Sequence, residues 1–160
     1  MTITIASTGF EQSIICKNEG EKPYTTIKRA IRETVWAAYL QGASSFYVNC
    51  QYGVPLWAAE AVCAMKRYNG IRLHIVVPYE EQCRDWSEEQ RDRYYTVHQQ
   101  ADSVIFAEKQ YSENCYRAAD NIMTDNSDCV IVFGKKEEIY ICRIAEKKRL
   151  PVRFVDADRF

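Results

Sequence analysis

Apolar and polar positions along the 160-residue chain alternate between two periods. Short runs rich in β-branched and aromatic residues occupy 2–7, 45–50, 71–77, 103–107, 128–133 and 151–155, each of ordinary strand length. Leu73-His74-Ile75-Val76-Val77 and Cys129-Val130-Ile131-Val132-Phe133 have almost no polar side, which suits strands covered on both faces of a parallel sheet. Between the runs the spacing becomes helical. A first helix carries Ile27, Ile31, Val35 and Ala38 and can end at Gly42. A second has Pro55 just inside its start, an apolar stripe of Leu56, Ala59, Val62 and Met65, and a stop at Asn69-Gly70. Ser87-Glu88-Glu89-Gln90 has the reciprocal capping pattern for a third helix, with Tyr94, Val97 and Ala101 inward. Ser112 can cap a fourth, bearing Tyr116, Ala119 and Met123. A fifth spans roughly 137–149, with Ile141, Ile144 and Ala145 inward and Lys147, Lys148 and Arg149 complementing its dipole.

Strand–helix repetition requires crossover connections, hence parallel pairing with helices on both faces. Right-handed crossovers leave few topologies. The expected fold is α/β: a Rossmann-like, doubly wound, mainly parallel sheet of order 3-2-1-4-5, with a sixth strand at the edge. Neither repeat nor linker divides the chain, so 1–160 is expected to be one domain. In such sheets ligands bind beyond the carboxyl ends of the strands, where strand order reverses. That reversal falls beside the first strand. The relevant tips are Ser7-Thr8-Gly9, Cys50-Gln51-Tyr52-Gly53, Pro78-Tyr79, Ala107-Glu108 and Phe133-Gly134. Gly9 and Gly53 let backbone approach a ligand, or serve only their turns. The helix opening at Val54-Pro55 aims its N–H groups at the same place and offers an anion site. Neither G-x-G-x-x-G nor G-x-x-x-x-G-K-[ST] is present, which argues against an ordinary dinucleotide fold and a P-loop NTPase.

Composition narrows the function further. With 47% apolar residues, 6 Gly and 4 Pro, the chain is not of disordered type. Lys and Arg total 21 against 22 Asp and Glu, a net charge of −1. That balance supplies no global field for nucleic acid or anionic membranes, so neither is an expected partner. No run approaches the ~18 apolar residues of a membrane span, and Met1-Thr2-Ile3-Thr4-Ile5-Ala6 reads as a strand, not a signal peptide. Cys16, Cys50, Cys63, Cys83, Cys115, Cys129 and Cys142 are scattered without a C-x-x-C pair. Only His74 and His98 could join them, so no metal site is expected. Free thiols point to a reducing, cytoplasmic setting.

Several segments resemble the YpsA-like proteins of the SLOG superfamily, Rossmann-type domains related to the DprA and LOG groups. Tyr52-Gly53-Val54-x-Leu56-Trp57-Ala58-Ala59-Glu60 matches that family's L-G-V-E-L-W-A-A-E, and Tyr24-x-x-Ile27-Lys28-x-Ala30-Ile31 its first helix. Pro78-Tyr79-x-x-Gln82-x-x-x-Trp86, then Tyr94/Tyr95 and Ala101-Asp102, follow in order. Asn121-x-Met123-x-Asp125-x-Ser127-Asp128 leads into the fifth strand. The resemblance implies a pocket for a nucleotide or nucleotide derivative, such as an ADP-ribose-like ligand, formed by Thr8, Gly9, Cys50, Gln51, Gly53, Pro78, Gln82, Trp86, Asn121, Asp125 and Gly134. SLOG relatives include ligand sensors and enzymes that cleave N-glycosidic bonds. The chain departs from the family where a ligand would sit. Thr8-Gly9-Phe10-Glu11 replaces a T-G-H-R or T-G-Y-K stretch and lacks its cation, Asn49-Cys50-Gln51 replaces G-G or G-Q, and Gly134-Lys135-Lys136-Glu137-Glu138-Ile139 lacks a Gly-Thr pair. Pro55 stands where the family has Glu. Either the ligand differs or binding has weakened; Lys135 and Lys136 could replace the lost cation or be solvated.

Individual residues carry paired readings. Asp125 could position a ribose hydroxyl or polarise water, and Asp128 could do so or make a turn. Glu60 could enter the pocket or favour the dipole of the second helix. Cys50, at a strand end before a helix, has a nucleophile's setting but no nearby base. His74 reads as a satisfied core imidazole and His98 as a surface residue. Tyr52, Trp57 and Trp86 could stack a base or pack a second copy of the chain. Three functions stay open: a nucleotide sensor or regulator, an enzyme cleaving or transferring at an N-glycosidic bond with Glu60 or Asp125 carrying charge, and an interaction module whose pocket has decayed and is filled by Tyr52 or Phe10.

Overall fold

The computed structural model describes residues 1–14 and 18–156, so Cys16 lies outside the described residues. The elements are β1 (Thr2–Ser7), a 3-10 turn (Phe10–Ser13), α1 (Tyr24–Leu40), β2 (Ser45–Val48), α2 (Val54–Lys66), β3 (Arg72–Tyr79), α3 (Glu88–Gln100), β4 (Ser103–Glu108), α4 (Cys115–Asp125), β5 (Cys129–Phe133), α5 (Tyr140–Lys147) and β6 (Val152–Val155). The six strands form one sheet, paired in parallel throughout. This is the expected Rossmann-like α/β architecture. Because side chains alternate across a strand, each face of the sheet builds its own core. On one side Ile3, Ile5, Phe46, Leu73 and Ile75 meet α1, α2 and α3; on the other Val76, Val130 and Val132 meet α4 and α5. Helix α2 lies in the first core and is buried along most of its length, which its alanines 58, 59 and 61 permit.

The strand order is β4-β3-β2-β1-β5-β6, which corrects the expected 3-2-1-4-5 in the place of β4. Tyr94 and Val97 of α3 join the same core as α1 and α2. A right-handed crossover on that face carries the chain one strand further in the same direction, so β4 lies outside β3. Return to the centre waits for α4 on the opposite face, and β5 takes the place beside β1. The reversal therefore still falls beside β1.

Local signals explain most boundaries. Ser87 accepts from the Gln90 N–H at 3.2 Å while its own N–H donates to Gln90 Oε1, completing the capping box of α3. Helix α4 begins at Cys115, after a turn in which the Ser112 hydroxyl accepts from the Asn114 N–H at 3.3 Å and donates to Glu108. His74 stacks on Tyr47 and shares a 2.7 Å hydrogen bond with Ser103. His98 is not a surface residue as expected: its Nδ1 lies 2.7 Å from the Tyr94 carbonyl oxygen, and its ring packs against Tyr94. Among the described residues, no helix is long and apolar enough to cross a membrane.

Candidate functional site

The parallel ladder brings the carboxyl ends of β1, β2 and β5 to one edge, and the tips are fixed by their own backbone hydrogen bonds. The Thr8 N–H donates to the Phe133 carbonyl and the Gly134 N–H to the Val155 carbonyl, each at 2.9 Å. Gly134 has a φ of 128°, and a Cβ there would overlap the Thr8 side chain, so only glycine lets these two tips meet. Beyond Gly9 the 3-10 turn swings Glu11 back toward the sheet. Glu11 is only 1% exposed. Its carboxylate accepts from the Ser7 hydroxyl at 2.6 Å and from the Val54 N–H, the first of α2, at 3.1 Å. Gly53 makes that possible, since a Cβ there would lie 2.7 Å from Glu11 Oε1.

Around this corner opens a cleft of about 320 Å³, lined by Ser7, Thr8, Gly9, Glu11, Asn49, Gln51, Pro55, Tyr116, Asp120 and the 139–141 segment. Asp120 projects from α4. Burial pushes its carboxyl up to about 7, so it exchanges a proton near neutrality. Among the described residues no hydrogen-bond donor reaches that carboxyl. Tyr116, one turn earlier on α4, is pushed up to about 12 by burial and stays a neutral phenol. Among the described residues none of the lining side chains is a lysine or arginine. The cleft can accept hydroxyl or amine donors through Asp120 and meet amides and hydroxyls through Asn49, Gln51 and Thr8.

The expected site residues divide into those at the cleft and those elsewhere. Thr8, Gly9 and Gln51 line it. Gly53 and Gly134 shape it from behind. Cys50 is 0% exposed with a φ of 53°, and burial raises its thiol well above the ordinary value, which leaves it a packing residue and not a thiolate. Pro78 is buried within β3. Gln82, 4% exposed, ties its loop to β2 by donating to the Asn49 carbonyl at 3.1 Å and accepting from the Tyr94 hydroxyl. Trp86 packs edge-on against Tyr52 and Tyr94, with ring centroids 5.5 and 5.3 Å away. Asn121 donates to the Tyr140 hydroxyl and so links α4 to α5. Asp125 sits at the far end of α4, paired with Lys148 at 2.7 Å. Glu60 is clasped by Arg93 through bonds of 2.7 and 2.9 Å on the outer side of α2.

Sequence reasoning missed Tyr116 and Asp120 as cleft residues, and placed Glu11 and Asn49 there only as departures from the family's pattern. Asp120 had a signal, since it falls within the inward stripe of Tyr116, Ala119 and Met123, where an acid is out of place. The burial of Glu11 had none, because it depends on a glycine some forty residues away.

A family model described as the YspA SLOG family (YpsA) matches residues 5–156. A UPF0398 protein of Halalkalibacterium halodurans is 29% identical over 132 residues, covering 78% of this chain and 70% of that protein. A UPF0398 protein of Bacillus thuringiensis strain Al Hakam is 29% identical over 152 residues, covering 90% and 83%. Among solved structures, DNA processing protein A from Helicobacter pylori, described for its single-stranded DNA binding mode, aligns with a TM-score of 0.64. At 13% identity that likeness is one of fold; it covers 96% of this chain, which spans 64% of the length of that protein.

Proposed function

The chain belongs to the YpsA family of SLOG proteins, and from that membership and the geometry of the strand tips we propose that it binds a nucleotide or nucleotide derivative in the cleft beside β1. The observation that carries this reading is an open polar cleft at the point of strand reversal, with the Asp120 carboxyl facing it unpartnered. The role is that of a sensor or regulator in the cytoplasm, where the six described cysteines, all free, would remain reduced. A decayed pocket fits less well, because Tyr52 is spent on Trp57, Trp86 and Glu19 and does not fill the cleft.

Thermal-shift and calorimetric titration with AMP, ADP-ribose, NAD, cyclic nucleotides and adenosine tests the proposal. At least one should bind more tightly than roughly 1 mM, and Asp120→Ala should abolish it. No binding across the panel overturns it. A single-stranded oligonucleotide belongs in the same series because DNA processing protein A binds single-stranded DNA. With a net charge of −1 and no lysine or arginine among the described residues of the cleft lining, the small ligand is favoured over the strand.

A second reading, cleavage at an N-glycosidic bond, is favoured by one observation: Asp120 can hold a proton near pH 7, as a general acid must. Glu60 and Asp125, the carboxylates first considered for that chemistry, are bound to Arg93 and Lys148 away from the cleft. Chromatographic release of free base from nucleosides or nucleotides, abolished in Asp120→Asn, would establish it; no turnover over long incubation retires it.

A further inference from the structure

We infer that the cleft admits an uncharged ribosyl group and excludes phosphate, because the chain's own Glu11 carboxylate occupies the corner where a Rossmann-type site holds its phosphate. The inference rests on the reading above and names the ligand group that the site takes.

A phosphate at a helix N-terminus needs free N–H donors. In the first turn of α2 none is left. The Val54 N–H is taken by Glu11, Pro55 has no N–H, the Leu56 N–H donates to the Gln51 carbonyl at 3.1 Å, and the Trp57 N–H to the Gly53 carbonyl at 3.0 Å. Four N–H groups of the neighbouring tips are spent as well. The Gly9 N–H donates to the Ser7 hydroxyl, the Gln51 N–H to Asn49 Oδ1, and the Thr8 and Gly134 N–H groups to carbonyls of β5 and β6. Among the described residues the lining holds two carboxyl groups, Glu11 and Asp120, and no cation, so its side chains offer only neutral hydroxyls and amides in their place. Lys135 and Lys136, which the sequence offered as substitutes, are exposed outside that lining. A phosphate dianion at that corner would therefore meet two carboxyl groups, no cation among the described lining residues and no free N–H of α2.

The same wall suits a sugar. Vicinal hydroxyls donate to a carboxylate, the role an acidic residue takes toward ribose in dinucleotide-binding sheets. Asp120 is placed for it, with Thr8, Asn49 and Gln51 to meet the remaining polar groups. At about 320 Å³ the cleft is near the small end of ligand pockets (roughly 300–1,000 Å³), room for a nucleoside-sized group.

Calorimetry at neutral pH with adenosine, guanosine, cytidine and uridine, each against its 5′-monophosphate, decides the matter. The preferred nucleoside should bind at least about tenfold tighter than its monophosphate. Glu11→Gln keeps an oxygen for the Val54 N–H while removing the charge, and should bring the pair to within about threefold. Should that variant not fold, Asp120→Asn removes the other charge from a less buried position, and should weaken the nucleoside and narrow the gap. A monophosphate that binds tighter than its nucleoside to the unaltered protein overturns the inference and leaves nucleotide binding standing. A nucleoside preference unchanged in the folded variants also overturns it. Failure of every nucleoside and every monophosphate to bind brings down the proposed function itself.

Discussion

Two groups of buried or half-buried carboxylates flank α2, and their surroundings differ in kind. On the outer side, Arg93 binds Glu60 at 2.7 and 2.9 Å and Glu19 at 2.9 and 3.0 Å, Lys28 reaches Glu19 at 2.5 Å, and the Tyr52 hydroxyl donates to Glu19 as well. At the N-terminal end, Glu11 is held by a hydroxyl and an amide, and Asp120 by no hydrogen-bond donor among the described residues. Low dielectric makes an isolated charge costly unless a counter-charge or donors compensate it. The outer group is fully compensated, so it has nothing left to offer a ligand. The inner group keeps one carboxyl uncompensated, and a shifted group in a cleft is where function concentrates. Family-like text at Glu60 thus marks a fastening of α2 to α3, while the available chemistry lies at residues that text does not include.

Removing the shared cation should produce the largest effect. Arg93→Met strands Glu60, leaves Glu19 to Lys28 and Tyr52, and is expected to cost about 1–3 kcal/mol in urea unfolding, since breaking a partly buried pair leaves its partner uncompensated. Burial opposes ionisation of Glu19, but hydrogen bonds from Lys28 and Tyr52 and the charges of Arg93 and Lys28 outweigh it and hold its pKa below the ordinary 4.5. The stability this supplies is present above 4.5 and is lost as pH falls through the lowered value, so the variant should lose part of the acid sensitivity of the parent. An Arg93→Met protein as stable as the parent, with an unchanged acid limb, would erase the distinction between the two groups.

Asp120 should respond in the opposite sense. Its pKa rises from 3.8 to about 7, so the folded state holds a proton that the unfolded chain releases. Stability should decline as pH climbs from about 4 to 7. Asp120→Asn removes that slope. The variant is expected to be about 1–2 kcal/mol more stable than the parent above neutrality and no more stable in acid, a modest figure because cleft water screens part of the penalty. Melting temperatures across pH would show it. A parent protein whose stability is flat between these limits would mean that the Asp120 carboxyl is compensated after all.

The cleft's location was legible in the sequence, and its contents were not. Strand runs such as 129–133 and the cap at Ser87 are local patterns, and they form as read. Strand reversal beside β1 follows from crossover handedness and survives the misplacing of β4. That misplacing arose because Tyr94 and Val97 announce an inward face without saying which side of the sheet it meets. Side-chain occupancy is a different kind of fact. Gly9 and Gly53 were read as openings for a ligand or as turn residues; Gly9 lines the cleft, but the space at Gly53 is taken by Glu11, through contacts between segments far apart in sequence. Gln82 and Trp86 lie where a mouth was expected, but the Asn49 carbonyl and the rings of Tyr52 and Tyr94 use them.

The smallest expected effect separates the two ends of α4. Asp125 is 64% exposed and pairs with Lys148, whose ammonium also donates to Thr124 Oγ1 at 2.7 Å and to the Asn121 carbonyl at 3.2 Å. Without Asp125 the lysine stays in place, so Asp125→Ala should change stability by no more than about 0.5 kcal/mol. Ligand affinity should not change either. Asp125 lies five residues beyond Asp120, about 7–8 Å along a helix that runs away from the strand tips toward the start of β5. Because Asp120 and Asp125 share that helix, they serve as mutual controls for its folding. Were Asp125→Ala to abolish nucleoside or nucleotide binding while Asp120→Ala preserved it, the ligand would sit at the amino ends of the strands, and the cleft beside β1 would be a structural recess.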